Sequence, residues 1–244
     1  YQKSADTNPF PVISSPIINK SILILVSLIL IISGTLFYAA YRHADMGTTH
    51  MRIATTPNLE ENAQQNRLQK ARQEIQKAIH LNPMNAEYQA AWAAVNAISY
   101  NKSKDQNSKE AIHYYNNAVE GITRGEYLQP YYAKNRQKLL ESSVLLGNGD
   151  LILKQTEGLL KANPNDIKAY ITLVNILWEA FQYSLNANNQ EAASEYAKQL
   201  ISVEERLQLQ INRINPNLPW YGAPLQFPEQ TEIKIQLAKD YLGD

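Results

Sequence analysis

An uninterrupted apolar run near the start of the chain is the feature that most limits how this protein folds. Between Ser21 and Tyr41 the sequence reads SILILVSLILIISGTLFYAAY and contains no charged residue. In a helix this run is about 31 Å long, at roughly 1.5 Å per residue, which matches the hydrocarbon core of a bilayer. Lys20 and Arg42 flank the run, and their long side chains reach the headgroups from such positions. The run therefore predicts a transmembrane helix over residues 21–41.

Two other kinds of apolar segment are similar to this run. A secretory signal peptide has a shorter apolar region at the very start of a chain, whereas 20 residues, including Pro9, Pro11 and Pro16, precede Ser21 here. The core helix of a soluble protein is rarely apolar on every face over such a length. The membrane helix is therefore the favoured interpretation, and the signal peptide stays open as an alternative.

A helical repeat pattern follows the apolar run. Ala71, Ile75 and Ala78 lie at positions i, i+4 and i+7, which share one helix face, and Pro83 follows five residues later. This spacing is typical of the second half of a tetratricopeptide repeat (TPR), which is a hairpin of two helices. The small residues let the helices approach closely, Ile75 fills the space between them, and the proline ends the hairpin. Asn85 is the predicted N-cap of the next helix.

The pattern recurs further along the chain with weaker residues. Ala111, Tyr115 and Ala118 repeat the small–large–small spacing, and ANPNDIKAY at 162–170 echoes LNPMNAEY at 81–88. The spacing of the prolines is irregular compared with the TPR period of about 34 residues. We therefore expect about three or four degenerate hairpins rather than a regular superhelix.

The C-terminal end has the pattern of a capping helix. Ile233, Leu237 and Tyr241 lie at i, i+4 and i+8 of an amphipathic segment, and Trp220 and Tyr221 lie in the proline-containing stretch before it. Because a helical array leaves an apolar end open, we expect this helix to close the last repeat. The two aromatic residues are expected to pin the preceding stretch onto that repeat.

Together these patterns predict an all-α fold class, with one transmembrane helix followed by a TPR-like array of helical hairpins, an α-solenoid. The predicted units are a polar, proline-containing segment over 1–20, the membrane helix over 21–41, a linker over 42–58, degenerate TPR-like repeats over 59–215, an irregular linker over 216–228 and a capping helix over 229–244.

Catalytic, metal-binding and nucleic-acid-binding patterns are missing from the sequence. The chain has no cysteine, and its 23 basic and 23 acidic residues balance, so phosphate groups gain no attraction from net charge. No nucleophile or phosphate-loop motif occurs, and no two histidines lie at i, i+4. We therefore predict no catalytic residue, no cofactor, no metal site and no nucleic-acid partner. The four histidines are His43, His50, His80 and His113.

Tyrosine is unusually frequent, with 15 residues in the chain. One interpretation is that most of them fill the cores of the hairpins. The other is a groove for a peptide or a sugar chain, because tyrosine combines an apolar face with a polar tip. The candidate binding residues crowd one stretch of the chain: Tyr114, Tyr115, Tyr127, Tyr131 and Tyr132.

The order of these features resembles a known family. An apolar span is followed by A-x3-I-x2-A-x2-LNPMNAEY, by an array containing LLGNGD and ANPNDIKAY, and by an end reading AKDYLG, and the first residue is Tyr1 rather than Met. This order resembles the C-terminal part of bacterial O-antigen ligase and polymerase-like membrane proteins, whose last span precedes a TPR tail in some members. The resemblance implies that the whole protein transfers a polyprenyl-linked glycan. It also implies that the catalytic arginines and histidine lie upstream, so no catalytic residue is carried over here.

Two functions of different classes follow. The first is a non-catalytic tail that positions the partners of a polysaccharide ligase or polymerase, and the alternative is an independent single-pass scaffold that recruits a partner protein. Membrane lipid is the expected partner of residues 21–41, and a protein or a glycan is the expected partner of the repeats. The resemblance implies a bacterial inner (plasma) membrane with the repeats on the extracytoplasmic side. The charges near the run leave its orientation open, since Lys3 and Lys20 precede it and Arg42 and Arg52 follow it.

Overall fold

The structure is a computed structural model that describes residues 16–103, 105, 108–213 and 226–243. Within these residues every regular element is an α-helix, which confirms the predicted all-α class for this part of the chain. The helices are α1 (Pro16–Ala54), α2 (Glu61–Leu81), α3 (Ala86–Asn101), α4 (Lys109–Leu128), α5 (Ala133–Leu146), α6 (Gly149–Ala162), α7 (Ile167–Asn186), α8 (Gln190–Arg213) and α9 (Glu229–Leu242).

The helix α1 extends well past the apolar run. It continues to Ala54, so the linker predicted over 42–58 is wrong over most of its length. The polar residues in this stretch cover only part of the helix surface. Ala40, Ala44 and Gly47 form an i, i+4, i+7 stripe of small, buried residues on the other face. Among the described residues, α1 is the one helix that is long and apolar enough to cross a membrane.

The helices α1 and α2 form an antiparallel pair with a defined register. Ala40 and Ala44 pack with Ala78 near the end of α2, whereas Ala54 packs with Leu68 near its start. Two polar contacts follow the same register. His43 Nδ1 donates a hydrogen bond to Glu74 Oε2 at 2.6 Å, and Arg67 Nη1 donates to His50 Nδ1 at 3.1 Å.

The remaining helices follow as an ordered series. Each helix packs against the next one in the chain up to α9, and α1 with α3, α3 with α5, and α7 with α9 are in contact as well. Buried side chains form one cluster between α3, α4 and α5 and a larger one from α5 to α9. The helix α5 belongs to both, since Leu139 lies in the first cluster and Leu140 in the second.

Side-chain caps begin most of the helices after short turns. The predicted N-cap Asn85 is confirmed, since its Oδ1 accepts hydrogen bonds from the backbone N–H groups of Glu87 and Tyr88. Asn148 and Asp166 cap α6 and α7 in the same way. Gly147 ends α5 with a φ of 64°, a left-handed conformation that glycine adopts without a steric cost.

The last helix packs through a different face from the predicted one. Thr231, Ile235 and Ala238 are the buried residues of α9, which lies against α7 and α8. Ile233 and Leu237 are exposed instead. The sequence predicted that the stripe of Ile233, Leu237 and Tyr241 faces the core. The helix instead buries the neighbouring stripe that begins at Thr231. Trp220 and Tyr221, with most of the linker predicted over 216–228, lie outside the described residues.

Candidate functional site

The structure does not bring the five candidate tyrosines together in one groove. Three of them lie on α4 and two lie in the turn after it, and Tyr127 is 13 positions further along the helix than Tyr114. That spacing corresponds to about 20 Å along the helix axis. Consecutive positions on a helix also point in different directions, so Tyr114 and Tyr115 face different neighbours.

Tyr114 is engaged by an arginine of α2. The guanidinium carbon of Arg72 lies 4.4 Å from the centre of the Tyr114 ring, and Arg72 Nη2 donates a hydrogen bond to the phenol oxygen at 3.1 Å. The phenol in turn donates to Glu110. Burial and the Glu110 carboxylate raise the pKa of Tyr114 and outweigh the opposing effect of Arg72. These contacts link α2 to α4.

Tyr115 is part of a core. Its ring meets the ring of Tyr100 edge-on at 5.3 Å between centres, and Asn148 Nδ2 donates a hydrogen bond to its phenol oxygen at 2.6 Å. It packs against the buried cluster of α3, α4 and α5. The core interpretation of the tyrosines therefore holds for this residue.

The other three tyrosines are exposed around the α4–α5 turn. Tyr127 and Tyr131 show 82% and 78% of their surfaces to solvent, and Tyr132 precedes α5 as its N-cap residue and is exposed as well. Tyrosines with this exposure belong to the surface rather than to a pocket.

A different depression runs between the odd-numbered helices, and we call it the odd-helix groove. Its first part, of about 450 Å³, lies between α1, α3 and α5. Alanines of α3 form an apolar floor, and their small side chains leave space between the longer ones around them. The residues that give this part its character are Asp45, Thr48, Met51, Glu87, Ala91, Ala94, Ile98, Lys138, Glu141 and Leu145.

The groove continues from α5 to α7. This second part has a volume of about 620 Å³ and includes the exposed Val144 and the Lys168 and Thr172 side chains of α7. Glu141 and Leu145 line both parts, so the two depressions meet on α5. The groove therefore passes over successive odd-numbered helices.

Carboxylates outnumber ammonium groups around the first part of the groove. Its lining contains three carboxylates, those of Asp45, Glu87 and Glu141, and one basic residue, Lys138. Tyr88 lies among them, and burial together with the Glu87 carboxylate raises its pKa. The surface is thus suited to a ligand that offers apolar side chains and positive charge.

A second, more polar depression of about 490 Å³ lies beside Arg72. The guanidinium of Arg72 also donates to Ser99 Oγ at 2.7 Å, and burial lowers its pKa. Because its donors serve partners within the chain, this depression is a weaker candidate than the odd-helix groove. Among the residues that the structure describes, no group of three or more histidine, aspartate and glutamate side chains is placed to hold a metal ion.

Sequence reasoning did not identify the odd-helix groove. Its signal lay in two stripes: Glu87, Ala91, Ala94 and Ile98 at i, i+4, i+7 and i+11 on α3, and the polar half of α1 after the apolar run. The first was visible as an alanine-rich segment. The second was hidden because residues 42–58 were expected to form a linker.

Comparisons with known proteins add no relative to this picture. A scan of protein-family models and a search of curated proteins gave no match to the chain.

Proposed function

We propose that the chain is a membrane-anchored, TPR-like scaffold whose odd-helix groove holds a segment of a partner protein. The observation that carries this proposal is the continuity of α1. One unbroken helix contains the apolar run and then provides Asp45, Thr48 and Met51 to the wall of the groove. At roughly 1.5 Å per residue, Asp45 is about 6 Å past the end of that run, so the groove starts at the membrane surface.

Small residues at the helix contacts support a TPR-like organisation. Ala71, Ile75 and Ala78 are fully buried, as the TPR spacing requires. Their partner helix is the polar half of α1, since Gly47 lies against Ala71 and Ile75. The first hairpin of the array is thus α1 with α2, and its first helix is the continuation of the anchor.

The chemistry of the groove favours a basic, apolar peptide segment as the ligand. Ala91 and Ala94 leave room for large apolar side chains, and the surrounding carboxylates favour lysine or arginine beside them. A glycan fits this lining less well, because sugar chains need many polar partners. A protein segment is therefore the ligand that we propose, and the glycan is the alternative.

The family context remains a proposal from the sequence resemblance. An apolar span directly before a helical array supports placing the chain in the tail of an O-antigen ligase or polymerase-like protein, in a bacterial inner membrane with the array on the extracytoplasmic side. In that context the groove positions a partner of the glycan-transferring part. An independent single-pass scaffold needs the same groove and differs only in what the anchor is joined to.

A peptide-display selection on the full chain in lipid nanodiscs tests the groove. We expect the selected peptides to be enriched in lysine or arginine next to large apolar residues. Glu87→Lys together with Glu141→Lys is expected to weaken their binding at least tenfold, because it reverses the charge of the groove. Glu179→Lys, at an exposed position of α7 outside the groove lining, is the control for charge reversal elsewhere on the surface.

The same selection can contradict the proposal in two ways. If the selected peptides are not enriched in lysine or arginine, the groove carboxylates do not select for positive charge. Equal binding by the double variant and by Glu179→Lys would place the binding surface elsewhere on the chain.

A further inference from the structure

We infer that one end of the helix array rests on the bilayer, with exposed Met84, Tyr127, Tyr131 and Tyr132 in the headgroup region. The inference rests on the proposed membrane anchoring of α1 and goes beyond it, because it fixes how the array sits on the membrane. It follows from the register between helices, which can be traced from the apolar run to each turn.

The height of the α2–α3 turn is set by its contacts with α1. The apolar run ends near Ala40, and Ala40 packs in one cluster with Ala78 and Tyr88 on the two sides of that turn. The turn therefore lies at the height where α1 leaves the apolar run. Met84 in this turn shows 71% of its surface to solvent.

The α4–α5 turn lies close to the start of α3 and so to the α2–α3 turn. A Cβ added to Gly125 of α4 would lie 3.7 Å from the carbonyl oxygen of Ala86, the first residue of α3. Asn135 Nδ2 in the first turn of α5 donates a hydrogen bond to the carbonyl oxygen of Gly125 at 2.9 Å. The turn that carries Tyr127, Tyr131 and Tyr132 is therefore at the same end of the array as Met84. Since α4 runs towards this end, Tyr127 lies about 3 Å further along than Gly125.

The exposed tyrosines at this end have side chains suited to a lipid–water interface. Tyrosine is enriched where a protein crosses the interface between lipid and water, because its ring is apolar and its hydroxyl is polar. Tyr38 and Tyr41 occupy the end of the apolar run on α1 and are largely exposed in the structure. Together with the α4–α5 tyrosines they form a belt at one level of the molecule.

Two turns at the opposite end of the array are polar. The α1–α2 turn contains Thr55, Thr56 and Asn58, and the α7–α8 turn contains Asn188 and Asn189. These short polar side chains suit water rather than lipid. Tyr183 is also exposed near this opposite end, so it is the register of the helices, and not tyrosine content alone, that distinguishes the two ends.

Spin labelling tests this orientation, since the chain contains no native cysteine. Single-cysteine variants Tyr127→Cys, Tyr131→Cys and Tyr183→Cys are labelled with a nitroxide in the full chain, reconstituted into phosphatidylcholine–phosphatidylglycerol bilayers. Collision rates with oxygen, which concentrates in lipid, and with a water-soluble nickel chelate report the depth of each label. Tyr183 is the matched control because it is 76% exposed and lies near the far end of α7. Leu30→Cys, in the middle of the apolar run, reports on the anchor itself.

We expect a several-fold higher oxygen-to-nickel ratio at positions 127 and 131 than at 183, and the highest ratio at 30. If the labels at positions 127 and 131 give the same ratio as the label at 183 while the label at 30 is in lipid, the proposed orientation is wrong but the membrane anchor is supported. If 30 also gives the aqueous ratio, the proposed anchoring fails, and this inference fails with it. Circular dichroism of each variant checks that the helices are retained.

Discussion

Gly121 shows how much of this fold depends on single small residues. A Cβ added there would lie 2.8 Å from the backbone N of Ala93 and 2.9 Å from the carbonyl oxygen of Gln89, so α3 and α4 would have to separate. Gly121→Ala is therefore expected to destabilise the protein by about 1–3 kcal/mol, despite the higher helix propensity of alanine. Thermal unfolding in detergent measures the effect. Gly149→Ala in α6 is the control, since it has nothing within 4 Å of the added atom, and an equal effect of the two changes would refute the close contact.

Glu74 couples the stability of the α1–α2 pair to pH. Burial alone would raise the pKa of this carboxyl, but hydrogen bonds from Lys77 at 2.7 Å and from His43 at 2.6 Å hold it below its ordinary value. A lowered pKa in the folded state adds stability above the pKa of the unfolded chain, and this stability is lost as the pH falls through the folded pKa. The wild type is thus expected to lose more stability than Glu74→Gln on acidification.

Denaturant unfolding between about pH 6 and pH 3 tests this coupling, because glutamate titrates in that interval. Glu179→Gln serves as the control, since it removes an exposed carboxylate. The expected result is a shallower pH dependence for Glu74→Gln and an unchanged one for Glu179→Gln. Parallel curves for all three proteins would show that the Glu74 contacts do not contribute.

At the scale of elements, α1 carries the largest difference between sequence and structure. The sequence predicted helices wherever one face was apolar, because burial of that face determines the element. It also located Asn85 as a cap, which depends on local backbone chemistry. It missed residues 42–54 as a helix because their buried stripe consists of small residues, which add little hydrophobic signal. It misplaced the buried face of α9, since the choice between two adjacent stripes depends on α7 and α8.

The helix α1 also permits a direct test of anchor against cleaved signal peptide. An anchored chain keeps its full mass and stays in the membrane pellet after alkaline carbonate extraction. A processed chain loses the apolar run. Because that run and the α1 wall of the groove belong to one helix, such a chain keeps only the part of α1 that follows the cleavage site. We expect the first outcome, measured by mass spectrometry of the pellet. A soluble product that begins after residue 41 would show that the apolar run is a cleaved signal peptide and not an anchor.

The five tyrosines show why the site was harder to predict than the fold. They are near one another in sequence but not in space, because Tyr115 enters a core and Tyr127 lies at the far end of the same helix. The odd-helix groove is built from residues of α1, α3, α5 and α7 that are far apart in the chain. A groove of this kind depends on the packing of whole helices, and no local pattern specifies it.

At the scale of the whole molecule, the two main clusters are joined through α5 and the start of α6, and this predicts regional stability. In arrays where each helix contacts near neighbours, stability is close to a sum of local terms and adjacent interfaces. Leu200 of α8 is fully buried in the cluster from α5 to α9. Leu200→Ala is expected to cost about 2–5 kcal/mol locally.

Hydrogen exchange measures where that cost is felt. If the array behaves as a chain of neighbours, amides of α7, α8 and α9 lose most of their protection in Leu200→Ala, while those of α2 and α3 keep theirs. The reciprocal change, Ile75→Ala, also removes a fully buried side chain and is expected to expose α2 and α3 while sparing α8. A uniform loss in both variants would instead show a single cooperative unit. In that case binding in the odd-helix groove would stabilise the whole domain rather than the helices that line it.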